Sequence, residues 1–353
     1  MPIDLSEAVR LVVSGALVAA AAVPAGPLAF ALRRRDEPVL PRWKPFPVPW
    51  GGFEVTVVFA AVTMIVPIVL LQLLEANGFY QIIYGDEVPR ANAEGVSAEQ
   101  KAEASTIRVL WAYLLSLPLV LGGLALVRAA LHPTWRPTWR GSLAGKIALA
   151  VLAWCVLAPT VLVLNTVVNI VALQLGVPPD THSLAKLGGR PLLDQALLVL
   201  EACGGAPVRE EIVIRGIVLW WCVGRIKLPG LGVAPVTNAR PWFVMAAATA
   251  YSAVNAYSAA GWKWQPVAFA GALALGLAVL WRVKRTGARR ARAVYATAAF
   301  FALMHPVWPN PIALFVLGLG LGYLSVRTNG LLVPIAVHAL FNAVSVVFVL
   351  RGG

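Results

Sequence analysis

Apolar runs of about 20 residues recur along this chain, separated by short polar and basic loops. They fall near 9–32, 53–74, 107–127, 146–174, 192–223, 241–260, 266–283, 293–306, 311–327 and 331–350. A helix of about 20 apolar residues crosses the roughly 30 Å of a bilayer's hydrocarbon. The pattern therefore predicts an all-α polytopic membrane protein. Two runs are short and 192–223 is interrupted by charges, so the expected bundle has about 8–10 transmembrane helices. The pair 293–306 and 311–327 is the place where a broken or re-entrant segment is expected. The loops alternate in charge. Arg33, Arg34, Arg35, Arg42 and Lys44 follow the first run, and basic residues fill the third, fifth and seventh loops. The second loop carries Glu75, Asp86, Glu87, Glu94, Glu99 and Glu103. Lys and Arg collect on the cytoplasmic side, which puts the odd loops inside and the N-terminus outside.

Composition agrees. Of 353 residues, 59% are hydrophobic and 13% charged, against about 25% charged in a soluble domain. Mean hydropathy is +0.76. The formal charge of +13 raises the question of nucleic acid. Its basic residues, however, sit in short loops between apolar runs, as in WRVKRTGARRAR at 281–292, which is topology signal and excludes that partner. Cys155, Cys203 and Cys222 form neither a CxxC pair nor an even framework and read as small buried hydrophobes. Acidic residues precede the first run and no cleavage signature follows it, so 9–32 reads as a retained membrane helix.

Charges within apolar runs need a reason, because each costs about 2.5–3.5 kcal/mol near the bilayer centre on insertion scales. The stretch PVREEIVIRG at 207–216 holds Glu210, Glu211 and Arg215. With four-residue spacing, Glu211 and Arg215 share a helix face and are expected to pair. Glu210 is turned about 100° away and is left for a cavity. His305 closes an apolar run directly before Pro306, where a helix tends to end. His338 and Asn342 share a face of the last helix, with Pro334 expected to kink it one turn earlier. His132 and His182 lie in polar, proline-flanked loops and read as surface histidines. Interhelical glue is the bland reading of each pair. As a set on three helices, the residues have the composition of a hydrolytic site: a carboxylate to activate water, imidazoles to position it, and donors for an oxyanion.

Other protease signatures are absent. There is no HExxH, no GxSxG elbow and no membrane aspartate pair. GLGLG at 318–322 follows no strand and is not a nucleotide fingerprint. Gly318 and Gly322 instead make a small-xxx-small face for close helix approach.

Three motifs then stand in order: EExxxR as Glu210-Glu211-Ile-Val-Ile-Arg215, FxxxH as Phe301-Ala-Leu-Met-His305, and HxxxN as His338-Ala-Leu-Phe-Asn342. In these the sequence resembles the CPBP family, the CAAX-protease and bacteriocin-processing (Abi) membrane proteins. The resemblance covers about 192–350 and divides the chain into N-terminal helices of unassigned role (1–190) and a protease core (191–353). It implies an intramembrane endopeptidase acting on a peptide or membrane protein, with or without a lipid on it. Glu210 would be the base, His305 would hold the water, His338 and Asn342 would stabilise the oxyanion, and Glu211 and Arg215 would brace the site. A zinc scheme, with Glu210, His305 and His338 as ligands and one open position, stays open beside a metal-free one. The alternative from another class is a non-catalytic scaffold or bacteriocin-immunity-type binding protein using the same pocket. The expected location is a bacterial plasma membrane, in contact with the lipid bilayer on many passes. CGGAP at 203–207 is expected to break the 192–223 run in two.

Overall fold

A computed structural model describes residues 47–48, 50–85, 87–89, 95–131, 142–177, 180, 187, 189–228, 232–234, 239–256, 264–284, 288–305 and 307–351. The first apolar run at 9–32, the basic loop after it, His132 and His182 lie outside these. The described chain is a set of helices: α1 (Gly52–Ala76), α2 (Phe79–Tyr84), α3 (Ala98–Leu131), α4 (Leu143–Gln174), α5 (192–223), α6 (Arg240–Ala256), α7 (Trp264–Trp281), α8 (Ala288–Leu303), α9 (Pro311–Thr328) and α10 (Leu332–Leu350). The protein is an all-α polytopic membrane protein. Among the described residues, α1, α3, α4, α7, α9 and α10 are long and apolar enough to cross a membrane. In contrast, α5 carries five charged side chains between 201 and 215, and α6 and α8 have only 17 and 16 residues. One addition to the helical reading is a ribbon of three short strands, β1 (Pro47–Val48), β2 (Arg225–Leu228) and β3 (Gly232–Ala234). β2 pairs in parallel with β1 and antiparallel with β3.

The expected break at CGGAP does not occur. α5 is helical from 192 to 223, but its winding changes: 201–205 and 211–219 are π-helical. Glycine breaks helices readily in water, where freed backbone groups find solvent. In an apolar environment those groups must be satisfied internally, so the chain stays wound. The first π turn closes with the Ala206 N–H donating to the Glu201 carbonyl, five residues back. Pro207 follows within the first turn of the next α segment. Pro334 also departs from expectation. It is the third residue of α10, where its missing N–H has no intrahelical partner to lose, so it starts the helix and does not kink it.

Two compact units share the described residues. The first holds 139–180 and 214–334 with β1, and its centre is α8, buried continuously from Ala291 to Leu303. The helices α6, α7 and α9 pack on it, and α4 packs on α9. The glycine face works as expected: a Cβ on Gly318 would stand 3.0 Å from the Ala298 Cα, and one on Gly322 3.0 Å from Val294 Cγ1. Gly320 points the other way, against Leu157 of α4. The segments 293–306 and 311–327 are thus two separate helices, α8 and α9, with no break inside either. The second unit holds 49–138, 181–213 and 335–353. Its core gathers Tyr80, Ile107, Leu110, Leu187, Leu197, Leu198 and Val346. Large apolar side chains such as Phe53, Leu126, Leu152, Val156 and Val163 are exposed, as lipid-facing positions of a membrane helix are. Cys155 is exposed among them, unlike buried Cys222. Both units draw chain from either side of residue 190. The division at 190 follows the extent of a motif resemblance, which packing does not address.

Candidate active site

Four of the expected site residues come together in the second unit. Glu210 and Glu211 are delivered by α5, His338 and Asn342 by α10. His338 is 3% exposed and Glu211 fully buried. The His338 Nδ1 lies 3.0 Å from Glu211 Oε1. A carboxylate oxygen accepts, so Nδ1 carries the hydrogen and donates it. That leaves Nε2 turned to the other carboxylate, 4.0 Å from Glu210 Oε2. Unlike Glu211, the Glu210 side chain keeps 21% of its surface exposed. The adjacent glutamates thus differ in kind. One is sealed behind the imidazole and fixes its tautomer and orientation, while the other fronts Nε2 with its buried Oε2 and keeps the rest of its side chain partly exposed.

Asn342 answers a need created by the sequence of α5. With the π bond from Ala206 to Glu201 made, the next carbonyl in that register, Ala202, would look to the N–H of residue 207. Proline has none. The Asn342 Nδ2 donates to the Ala202 carbonyl at 2.8 Å instead, which satisfies a group that lipid would not. One of the two Nδ2 hydrogens is used in this way.

Arg215 and His305 lie in the first unit. Arg215 is fully buried, its guanidinium 4.5 Å from the Phe301 ring centroid, and Nη2 donates to the Gly318 carbonyl at 3.4 Å. His305 follows the end of α8, as its place before Pro306 predicts. Its Nδ1 donates to the Phe301 carbonyl at 2.7 Å, which leaves Nε2 as the acceptor nitrogen of the neutral ring. Phe301 also meets the His305 ring edge-on at 4.9 Å. The phenylalanine of FxxxH therefore holds both the arginine of EExxxR and its own histidine. Beyond His305, Asp180 and Trp308 exchange two bonds: the Asp180 N–H donates to the Trp308 carbonyl at 2.8 Å, and the Trp308 N–H to Asp180 Oδ2 at 3.1 Å.

Sequence reasoning missed one pair. Glu201 and Arg209 are both buried and form an ion pair of 2.5 Å within α5. The rule that singled out Glu210, a charge inside an apolar run, applies to both and would have found them. As for a metal, among the described residues no group of three or more His, Cys, Asp or Glu side chains is arranged to hold one. His305 belongs to the first unit and Glu210 and His338 to the second, and the zinc scheme through these three is left to the metal measurement proposed below.

No curated protein and no solved structure matches the chain at a significant level. A family match does exist, and it begins in the last turn of α7 and runs into α10. It takes in FxxxH and HxxxN and leaves EExxxR upstream. The resemblance to the CPBP family read from the three motifs is thus met, over residues 278–344, by similarity to the Type II CAAX prenyl endopeptidase Rce1-like family.

Proposed function

We propose that this chain is an intramembrane endopeptidase in which Glu210 activates water to hydrolyse a peptide bond of a membrane-associated substrate. The observation that carries this reading is His338 set between two unlike carboxylates, with fully buried Glu211 on Nδ1 and partly exposed Glu210 4.0 Å from Nε2. A gap of that size admits one oxygen atom bonded to both at about 2.8 Å, the two bonds meeting at roughly 90°. In this reading that oxygen is the attacking water. Glu210 takes one of its protons as the oxygen bonds to the substrate carbonyl carbon. The carbonyl π electrons move to oxygen, giving a tetrahedral oxyanion, on which the second Nδ2 hydrogen of Asn342 acts as donor, joined by His338 Nε2 when the ring is protonated. The C–N bond then breaks, and the proton on Glu210 passes to the leaving nitrogen. The motif resemblance gives His305 the role of holding the water and Arg215 that of bracing the site.

The similarity over 278–344 supports a protease that acts on a peptide or protein in a membrane. Whether the substrate carries a lipid is a question for the same assay, run on a peptide with and without a prenyl group. The proposed location is a bacterial plasma membrane, and loop charge puts the N-terminus outside. The deciding experiment is cleavage by purified Glu210→Gln protein in detergent or liposomes. Activity falls to background while helix content and melting are kept. Undiminished cleavage removes Glu210 as the base, and a variant that still supports function in cells favours the scaffold reading. Metal content is to be measured on the same active preparation. Cleavage that survives complete metal removal supports the glutamate scheme, and strict loss restored by zinc overturns it.

A further inference from the structure

The ion pair of Glu201 and Arg209 stands directly before Glu210, and the mechanism above makes no use of it. Its geometry depends on the π turn. Eight residues of regular α winding advance about 800°, some 80° past two full turns, so Glu201 and Arg209 would face different ways. A π turn absorbs one extra residue. The remaining seven advance about 700°, close to two turns, and the two side chains fall on one face. Gly205 makes the room: a Cβ there would collide with Glu201 Oε2 and stand 3.0 Å from the carboxyl carbon. Glu201 is 4% exposed and Arg209 7%.

Arg209 is also fixed from outside its helix. Its guanidinium lies 4.5 Å from the Tyr113 ring centroid of α3, and Nη1 donates to the Tyr113 carbonyl at 3.4 Å. Three contacts thus hold the residue whose peptide bond continues into Glu210.

From this we infer that Glu201, Arg209 and Gly205 form a positioning device that sets the Glu210 carboxylate against His338. The inference rests on Glu210 being the base, and it makes Arg209 a positioning residue that acts through its neighbour.

The test needs one readout that does not depend on catalysis. The chain has four histidines, so 15N-histidine labelling of the full-length protein in micelles resolves His338, assigned by His338→Gln. Glu210→Gln will move the His338 Nε2 resonance. Arg209→Gln and Glu201→Gln will move the same resonance in the same direction, while the Nδ1 signal bonded to Glu211 holds. In the cleavage assay, each will lower kcat about tenfold to a hundredfold with KM within about twofold, the size expected of misplacement by an ångström. The double variant Glu201→Gln/Arg209→Gln will be no worse than either single one, because the two act as a unit. Arg209→Lys, which keeps the charge, will recover part of kcat. An unmoved Nε2 resonance in folded Arg209→Gln protein overturns the device, as does a loss of melting temperature with kcat unchanged. If the resonance moves as stated but wild-type protein cleaves nothing, the device stands and the proteolytic reading falls.

Discussion

The second unit contains the same backbone device twice, once with chemistry attached and once without. In α1 the stretch Ala61–Ile65 is π-helical, closed by the Val66 N–H on the Ala61 carbonyl, and Pro67 follows. In α5 the stretch Glu201–Gly205 is π-helical, closed by the Ala206 N–H on the Glu201 carbonyl, and Pro207 follows. Each proline withholds a donor, and each time a side chain of another helix attends to a carbonyl in the turn, in α5 the one the proline leaves and in α1 the next along the chain. The Tyr113 hydroxyl donates to Thr63 O at 3.0 Å, and Asn342 Nδ2 to Ala202 O at 2.8 Å. The turn in α1 bears alanine, valine, threonine, methionine and isoleucine, while that in α5 opens on Glu201 and leads to Arg209, Glu210 and Glu211. A π turn is therefore a way of bending and satisfying a membrane helix. It becomes a site only where the residues it re-aims can titrate or pair.

Substitution on the α5 side should accordingly strike activity first, and on the α1 side stability alone is predicted to register. The largest effect belongs to Glu210→Gln, with a loss of about a hundredfold to ten-thousandfold, the range for removing a general base, read as kcat on a peptide substrate. Glu211→Gln comes next. It replaces the acceptor of the His338 Nδ1–H with an amide that can turn its NH2 to the ring, so imidazole orientation is lost. Cleavage falls about tenfold to a hundredfold, the range for groups that orient a functional histidine. If Glu211→Gln costs more than Glu210→Gln, the roles of the two glutamates are reversed.

How much of this was legible follows the same division. Runs of apolar residues announced most of the helices, because length and hydropathy are all that a bilayer demands. Glu210, Glu211, His338 and Asn342 stood out as charges and amides where lipid should exclude them, and the structure brings those four together. The winding of the helix that carries two of them was not legible, for 211–219 is π-wound. Periodicity carries no mark of an inserted residue. For the same reason Glu201 and Arg209, eight apart, gave no sign of being partners. CGGAP read as a break because glycine and proline are judged by their behaviour in water. Pro334 read as a kink because the start of α10, two residues earlier, leaves no signal in a run that is apolar throughout.

The remaining two predictions compare the caps themselves. Asn342→Leu removes the donor that attends to Ala202 O and leaves a half-buried carbonyl without it. The expected loss of stability is about 1–3 kcal/mol, measured by unfolding in mixed micelles. A drop in cleavage should accompany it, because the turn that loses its support holds the base.

Tyr113→Phe is the matched test on α1 and the smallest effect expected. It deletes the hydroxyl that donates to Thr63 O and keeps the ring that lies under Arg209. The carbonyl of residue 113, which accepts from Arg209 Nη1 and from Ser116 Oγ, belongs to the backbone and survives the change. What is lost is one neutral hydrogen bond, about 0.5–1.5 kcal/mol, visible as a shift of the unfolding midpoint and no change in its slope. A larger loss would mean that the α1 turn unwinds without its cap, and then the two turns differ in strength as well as in chemistry. A loss smaller than that of Asn342→Leu by about 1 kcal/mol or more would show that the turn bearing the charges leans on its cap harder than the one bearing none.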